Sequence, residues 1–320
     1  MFTIGIIGCG THSQHHAKHY SSDFFTKGCW DPSEEAMSQI SGKKYPTLEA
    51  LLSDKAIDSV LISSPDEFHL EQIEMALQAG KHVFCEKPLL VPGQDISRLE
   101  AAFDFAQKKK LVITSCHPRR YDRPIWWLHA EVSPRRDNPG FPARFGKVIS
   151  FHFDFSYHEP SNQWKHTRSL LLDHLNHEVD LMNSLFGIQG FEAWKLSDGH
   201  DHYSVVGKRD DGVTFHFQGT RRLKNHIYPE WCRVRFERGE VELDMMMGLA
   251  YVSDHDKKTI ETVPNLSIDY EGRLKKVMHD FYGTICDDHE GYLSREEMLM
   301  NTEAGIVLQN EGIQRISIRR

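Results

Sequence analysis

Three short stretches of this 320-residue chain carry side chains whose types and spacing suit chemistry. The first is Gly8-Cys9-Gly10-Thr11-His12-Ser13, placed directly after an apolar run and directly before a helix-like segment. Glycines there let the backbone approach a dinucleotide pyrophosphate, and the N-terminus of the following helix offers unsatisfied N–H donors and a favourable dipole. Ser13 stands where a third Gly or Ala is usual and is small enough to keep the helix close to the strand. Asp31 lies 21 residues beyond Gly10, just past a second apolar run. A carboxylate at that place accepts both ribose hydroxyls and repels a 2′-phosphate, so NAD is expected over NADP. The plain structural alternative is a tight turn at Gly8 and Gly10, with Asp31 capping the helix after Pro32.

The second stretch, Gly80-Lys81-His82-Val83-Phe84-Cys85-Glu86-Lys87-Pro88, puts Glu86 and Lys87 at the carboxyl end of a strand, where open α/β sheets bind ligands. A Lys followed by Pro is held stiffly, and a cis bond is one way to do so. Its ammonium could stabilise a developing alkoxide, or form a surface pair with Glu86. The third stretch, Asp173-His174-Leu175-Asn176-His177-Glu178-Val179-Asp180, sits in a helical pattern. Asp173 and His177 are four apart and share a face, which Asp180 continues. A His oriented by a carboxylate is a ready general base; a satisfied core His is the alternative. Metal binding is not expected, because neither this helix nor the pairs His12/His16 and His15/His19 have a second, closely spaced ligand set.

The elements that must position these groups alternate in the first third of the chain. Strands are expected at Thr3–Gly8, Lys27–Trp30, Ser59–Ser63, His82–Cys85 and Leu111–Ser115, with helices at His12–Ser22, Ser33–Ser41, Glu67–Ala79 and Pro92–Lys109. That alternation argues for a parallel sheet covered on both faces. After His117–Pro124 the pattern changes to a strand at Lys147–Phe155 and a helix at Leu170–Phe186. Strands follow at Phe191–Leu196, Tyr203–Lys208, Val213–Gly219, Arg233–Glu237 and Glu240–Asp244, then helices at about Ile268–Asp287 and Ser294–Leu308. Turns at Asp210-Asp211-Gly212 and Arg238-Gly239 suit hairpins. Ser133–Arg144 reads as a solvated insertion.

Composition narrows the classes. Hydrophobic residues make up 39% and charged residues 26%, enough apolar material to exclude disordered and fibrous chains. The net charge of −8 argues against nucleic acid as a partner. Nothing approaches the roughly 20 apolar residues needed to cross a bilayer, so no membrane partner is expected. Met1–Gly10 has no basic start and does not read as a signal peptide. Six scattered cysteines without C-x-x-C spacing fit free thiols in a reducing cytoplasm.

Taken in order, these residues resemble the Gfo/Idh/MocA family (glucose–fructose oxidoreductase / inositol dehydrogenase). The resemblance rests on GIIGCG with His16 following, SSPDEFH (Ser63–His69), AGKHVFCEKP (Ala79–Pro88) and LLDHLNHEVD (Leu171–Asp180). It implies a Rossmann doubly wound parallel sheet over residues 1–118. Residues 119–320 would form an α+β substrate-binding and oligomerisation domain with a mostly antiparallel open sheet, which in the family pairs into homodimers or homotetramers. It further implies an NAD(P)-dependent oxidoreductase acting on a secondary alcohol or ketone of a sugar, cyclitol or polyol. Lys87, Asp173 and His177 would be catalytic. Gly8, Gly10, Thr11, His12, Ser13, Asp31, Ser63, Ser64, Pro65, His69, Glu86 and Lys87 would hold the cofactor. A catalytically silent NAD-binding sensor on the same fold, or a sugar-modifying enzyme using tightly bound NAD transiently, are the alternatives. Departures cluster near the expected substrate pocket: Asp66 for Asn, Arg168-Ser169 for glycines, and Leu175 and Asn176 for small residues. Trp164, Lys165, His166, Arg168, Arg119, Arg120 and Tyr121 could hold an anion or stack on a sugar, or form ordinary loop contacts.

Overall fold

A computed structural model describes residues 2–19, 23–133, 140–157, 169–222, 230–286, 291–309 and 315–318. They group into two compact units, Met1–Pro118 with Tyr270–Thr302, and Arg119–Asp269 with Glu303–Arg320.

The first unit is built on strands β1 (Phe2–Ile7), β2 (Phe24–Trp30), β3 (Lys43–Lys44), β4 (Ser59–Ile62), β5 (His82–Cys85) and β6 (Ile113–Ser115). They pair in parallel in the order β3-β2-β1-β4-β5-β6. This is the doubly wound arrangement the alternating pattern predicts, with its switch point between β1 and β4. Helices on both faces bury the strands, and Ile4, Ile6, Ile7, Val60, Leu61, Ile62, Val83 and Phe84 are all fully buried. Helix α1 (Thr11–His19) follows β1, α2 (Glu34–Ser38) follows β2, and α3 (Leu48–Leu52) precedes β4. Helix α4 (His69–Gln78) and α5 (Ile96–Lys109) flank β5. Helix α4 turns Leu70, Ile73, Ala76 and Leu77 inward at helical spacing. The late segment returns to this unit because its aromatic residues have partners there. Phe281 stacks on Phe24 with ring centres 5.5 Å apart, and Tyr282 meets Phe2 edge-on at 5.7 Å.

The second unit opens with helices α6 (Arg123–Val132) and α7 (Gly140–Phe145). Among the described residues its sheet has nine strands: β7 (Val148–Ser156), β8 (Phe191–Gly199), β9 (His202–Arg209), β10 (Thr214–Thr220), β11 (Glu230–Phe236), β12 (Gly239–Asp244), β13 (Leu249–Asp254), β14 (Thr259–Val263) and β15 (Arg315–Ile318). The order is β14-β13-β12-β11-β7-β10-β9-β8-β15, antiparallel throughout except for β7 beside β10. Alternation sends Phe151, Phe153, Phe155, Phe215 and Phe217 into the core, and His152, Asp154, His216 and Gln218 to the other face. Helix α8 (Leu170–Phe186) contributes Leu171, Leu175, Val179 and Met182 to the same core. Helices α9 (Tyr270–Ile285) and α10 (Arg295–Gln309) complete the chain, and the boundary between the units falls inside α10. One expectation fails here: part of Ser133–Arg144 is not a solvated insertion. Helix α7 begins at Gly140, and Phe141 and Phe145, four apart, are buried against Phe236. Residues 134–139 lie outside the described residues.

Candidate functional site

The loop from β1 to α1 is shaped by two glycines with different reasons to be there. Gly8 has φ +85°, and a Cβ on it would lie 2.5 Å from the Ser64 backbone nitrogen. The first loop and the loop after β4 touch, and only glycine permits it. A Cβ on Gly10 would have no atom within 4 Å. That position borders open space beside the N-terminus of α1, the cradle a phosphate needs. Ser13 is fully buried and its hydroxyl donates to the Gly10 carbonyl at 2.7 Å, so a serine serves where a third glycine is usual. Thr11 is exposed and His12 half-exposed in the first turn of α1.

Asp31 accepts the Cys9 N–H on one oxygen (2.7 Å) and the Ser33 N–H on the other (2.8 Å). It is not the cap of α2: Ser33 is, its hydroxyl accepting the Ala36 N–H at 3.2 Å. The carboxylate is thus anchored to the glycine loop, half-exposed at the end of β2.

At the end of β4, the Ser63 hydroxyl is buried without a hydrogen-bond partner among the described residues. Ser64 donates to Gln72 at 2.6 Å, and Pro65 is exposed. His69 is completely buried, with Nδ1 2.7 Å from the Pro88 carbonyl and Nε2 2.9 Å from the Ser64 carbonyl. Burial pulls its pKa down, against those two acceptors. Each ring nitrogen faces a backbone carbonyl, one accepting the ring N–H, so the ring is packed between the Ser64 loop and the loop carrying Lys87.

Much of the segment from Gly80 to Pro88 is likewise structural. The Lys81 ammonium donates to the carbonyls of Asp54 (2.9 Å) and Ile57 (2.7 Å), and His82 Nδ1 accepts the Val112 N–H at 3.1 Å. Glu86 is buried, with Oε1 2.6 Å from His16 Nε2 and 3.9 Å from His12 Nδ1. Burial alone would raise its pKa, but the His16 hydrogen bond and the nearby His12 imidazole outweigh it and hold the carboxyl well below the usual range. Lys87 is half-buried, and its bond to Pro88 is cis.

In the second unit, Ser169 caps α8 by accepting the Leu172 N–H at 3.3 Å. Asp173 lies half-buried in the first turn and His177 is 7% exposed one turn on. The neighbouring His174 stacks on Phe155 with ring centres 3.5 Å apart and meets His177 edge-on at 5.3 Å. Its Nδ1 is 3.2 Å from Glu178 Oε1. Burial pushes Glu178 up to about 8, against the pull of Arg119. Asp180 does not extend the His177 face as a free carboxylate. It forms a buried two-pronged pair with Arg120, both contacts 2.7 Å. Arg119 is held the same way by Glu230 at 2.9 and 3.1 Å, so both arginines are engaged inside the fold. Trp164, Lys165, His166 and Arg168 lie outside the described residues. The sequence did not reveal the His16–Glu86–Cys116 grouping or the His174–Glu178 pair, although i,i+4 spacing was a usable sign of the latter.

Fold and loop together define a dinucleotide-binding α/β protein. Residues 2–117 match the oxidoreductase family with an NAD-binding Rossmann fold called GFO_IDH_MocA. An uncharacterized oxidoreductase of Schizosaccharomyces pombe is 34% identical over 151 residues, covering 45% of this chain and 38% of that protein. Inositol 2-dehydrogenase of Pseudomonas fluorescens is 27% identical over 220 residues, 65% of this chain and 59% of the relative. These matches span less than two thirds of either relative's length. Levoglucosan dehydrogenase, solved with NADH and levoglucosan, superposes over 100% of both chains with a TM-score of 0.82 at 17% identity, a likeness of fold. Among the described residues no helix is long and apolar enough to cross a membrane.

Proposed function

We propose that the chain is an NAD-dependent dehydrogenase or reductase acting on a secondary alcohol, or the matching ketone, of a sugar, cyclitol or related polyol. The observation that carries this reading is the open cradle at Gly10 beside a carboxylate, Asp31, which is fixed to the same loop by the Cys9 N–H and held in place by the Ser33 N–H on its own side. The relatives named for inositol and levoglucosan support the substrate class.

In this reading the backbone of Gly8, Gly10, Thr11, His12 and Ser13 holds the pyrophosphate and Asp31 the adenosine ribose. Ser63, Ser64 and Pro65 border the cofactor, with the Ser63 hydroxyl available as a donor. His69 and Glu86 act by fixing the loops on which Ser64 and Lys87 stand. The nicotinamide, when bound, supplies the hydride acceptor or donor. The Lys87 ammonium donates to the substrate oxygen and stabilises negative charge developing there. A ring nitrogen of His177 takes the hydroxyl proton, and Asp173 orients substrate or Lys87. The chain works in the cytoplasm as a homodimer or homotetramer, paired through the outward face of the nine-stranded sheet.

The test is a fluorescence titration with NADH and NADPH, followed by a polyol and keto-sugar panel. NADH is expected to bind more tightly. Gly10→Ala should keep its melting temperature yet lose binding, because its Cβ fills the cradle and touches no protein atom. Lys87→Met and His177→Ala should bind NADH while losing about 10²–10⁴ in kcat. NADH binding without turnover of any panel member would favour a sensor, and no binding of either nucleotide would overturn the reading.

A further inference from the structure

Four metal-ligating side chains converge where α1 meets the carboxyl ends of β5 and β6. His16, Glu86 and Cys116 are all buried, and their ligand atoms lie within 4.8 Å of one another. His16 Nε2 is 2.6 Å from Glu86 Oε1 and 3.9 Å from Cys116 Sγ. His12 Nδ1 is 3.9 Å from the same glutamate oxygen, and its side chain is 43% exposed. Since His12 and His16 are one helical turn apart, both rings reach the same side of α1.

We infer that His12, His16, Glu86 and Cys116 form a binding site for a thiophilic divalent cation of the zinc type. Tetrahedral zinc with bonds of about 2.0–2.3 Å needs ligand atoms roughly 3.4–3.6 Å apart. The 3.9 Å His16–Cys116 and His12–Glu86 separations must close by about half an ångström and the His16–Glu86 contact must open by somewhat less than one (roughly, from the same bond lengths). His16, Glu86 and Cys116 already lie within 4.8 Å of one another, and His12 must swing in to join them. Side-chain rotation supplies movements of that size, most easily at His12. One imidazole pair, one carboxylate and one thiolate make a donor set that suits zinc better than magnesium or calcium, which prefer oxygen alone. Burial and the adjacent Glu86 hold the Cys116 thiol well above its usual range, against the pull of Lys87 and Arg273. Cation uptake must therefore displace a proton from sulfur. His16 Nδ1 has no hydrogen-bond partner among the described residues, so the ring lacks the outer acceptor that typically strengthens affinity 10–100-fold. The site uses side chains of the first unit alone and does not rest on the reaction proposed above.

The experiment titrates Co²⁺, then Zn²⁺, into the metal-free full chain. One equivalent of Co²⁺ should give a thiolate-to-cobalt charge-transfer band in the near ultraviolet and tetrahedral bands in the visible, both removed by Zn²⁺. Cys116→Ser, nearly isosteric, should abolish the charge-transfer band, and Cys286→Ser should keep it. His12→Gln should keep the band and weaken Co²⁺ binding at least about tenfold. A wild-type chain with no such band, or a band that survives Cys116→Ser, would overturn the inference. So would Zn²⁺ uptake that neither variant alters, which would be adventitious binding to other histidines.

Discussion

The two units bury charge for different purposes. In the first, buried cationic and imidazole groups point mainly at backbone. Lys81 holds the carbonyls of Asp54 and Ile57, and His69 holds those of Ser64 and Pro88. In the second, buried arginines meet carboxylates: Arg120 with buried Asp180, Arg119 with Glu230, and Arg209 with the more exposed Asp211. The difference follows from architecture. A parallel sheet ends in loops that bury backbone carbonyls at both ends of its strands, and each must find a donor. Lys81 serves carbonyls ahead of β4, and His69 faces carbonyls that follow β4 and β5. In the second unit, α8 is held by two buried arginines, one ahead of α6 and one on β9. Asp180 is gripped by Arg120, while Arg209 donates to the Phe186 carbonyl at 3.0 Å, where a helix C-terminus favours a cation.

Breaking the Arg120–Asp180 pair should have the largest effect on stability. Arg120→Met leaves the Asp180 carboxylate, 1% exposed, without its guanidinium; the expected cost is about 3–5 kcal/mol in urea unfolding. The double variant Arg120→Met/Asp180→Leu should recover most of that loss, since removing both charges also removes their desolvation. A double variant as unstable as the single one would mean that the pair contributes more than mutual neutralisation.

Glu178 provides the next test, through pH. Its carboxyl sits at about 8 in the folded chain against an ordinary 4.5. Between those values the native state holds a proton that the unfolded chain has released. Stability from this group is therefore fully present below about pH 4.5 and falls as pH rises toward 8, with a limiting slope of about 1.4 kcal/mol per pH unit. Glu178→Gln, neutral throughout, should flatten that difference when unfolding free energies are compared from pH 5 to 8. Parallel curves for the two proteins would place the titration elsewhere.

The corresponding test in the first unit is smaller. His69→Leu removes the ring N–H, which in a neutral imidazole donates to one of the Ser64 and Pro88 carbonyls, and leaves that carbonyl buried without its donor, at a cost of about 1–3 kcal/mol. His69→Gln, which still reaches one of them, should lose less. Because His69 links the two loops, NADH affinity should fall in step with stability; an unchanged affinity would separate those loops from the cofactor.

The fold was most legible where local signals agreed. Helix α8 runs over the expected Leu170–Phe186 because Ser169 caps it, leucines recur at helical spacing and Gly187 follows. Strand β5 likewise occupies the expected His82–Cys85. The short β3 and α3 escaped notice although Thr47 caps α3, since five residues give too little periodicity. The return of Tyr270–Thr302 to the first unit depends on aromatic contacts such as Phe24–Phe281, which no local pattern shows. The site divides in the same way. Gly8, Gly10 and Asp31 are readable from spacing because strand, turn and helix follow in sequence. His16 meets Glu86 across 70 residues and Cys116 across 100, and only the parallel sheet order brings those positions together.

Asp31 allows the smallest and sharpest experiment, because two of its roles can be separated. Its carboxylate ties Cys9 and Ser33 into the loop, and it is proposed to select against a 2′-phosphate. Asp31→Asn keeps one acceptor oxygen of the same reach but carries no charge. If charge sets the preference, the ratio of NADPH to NADH dissociation constants should shift about tenfold toward NADPH, some 1.4 kcal/mol, with the melting temperature falling less than in Asp31→Ala, since one of the two backbone N–H groups keeps its acceptor. Asp31→Ala removes both roles and should also weaken NADH binding, because the loop loses its anchor. A ratio that moves only in Asp31→Ala would mean that selectivity comes from loop position. The carboxylate would then belong with His69 and Lys81, among the groups that satisfy the backbone at the two ends of the sheet's strands.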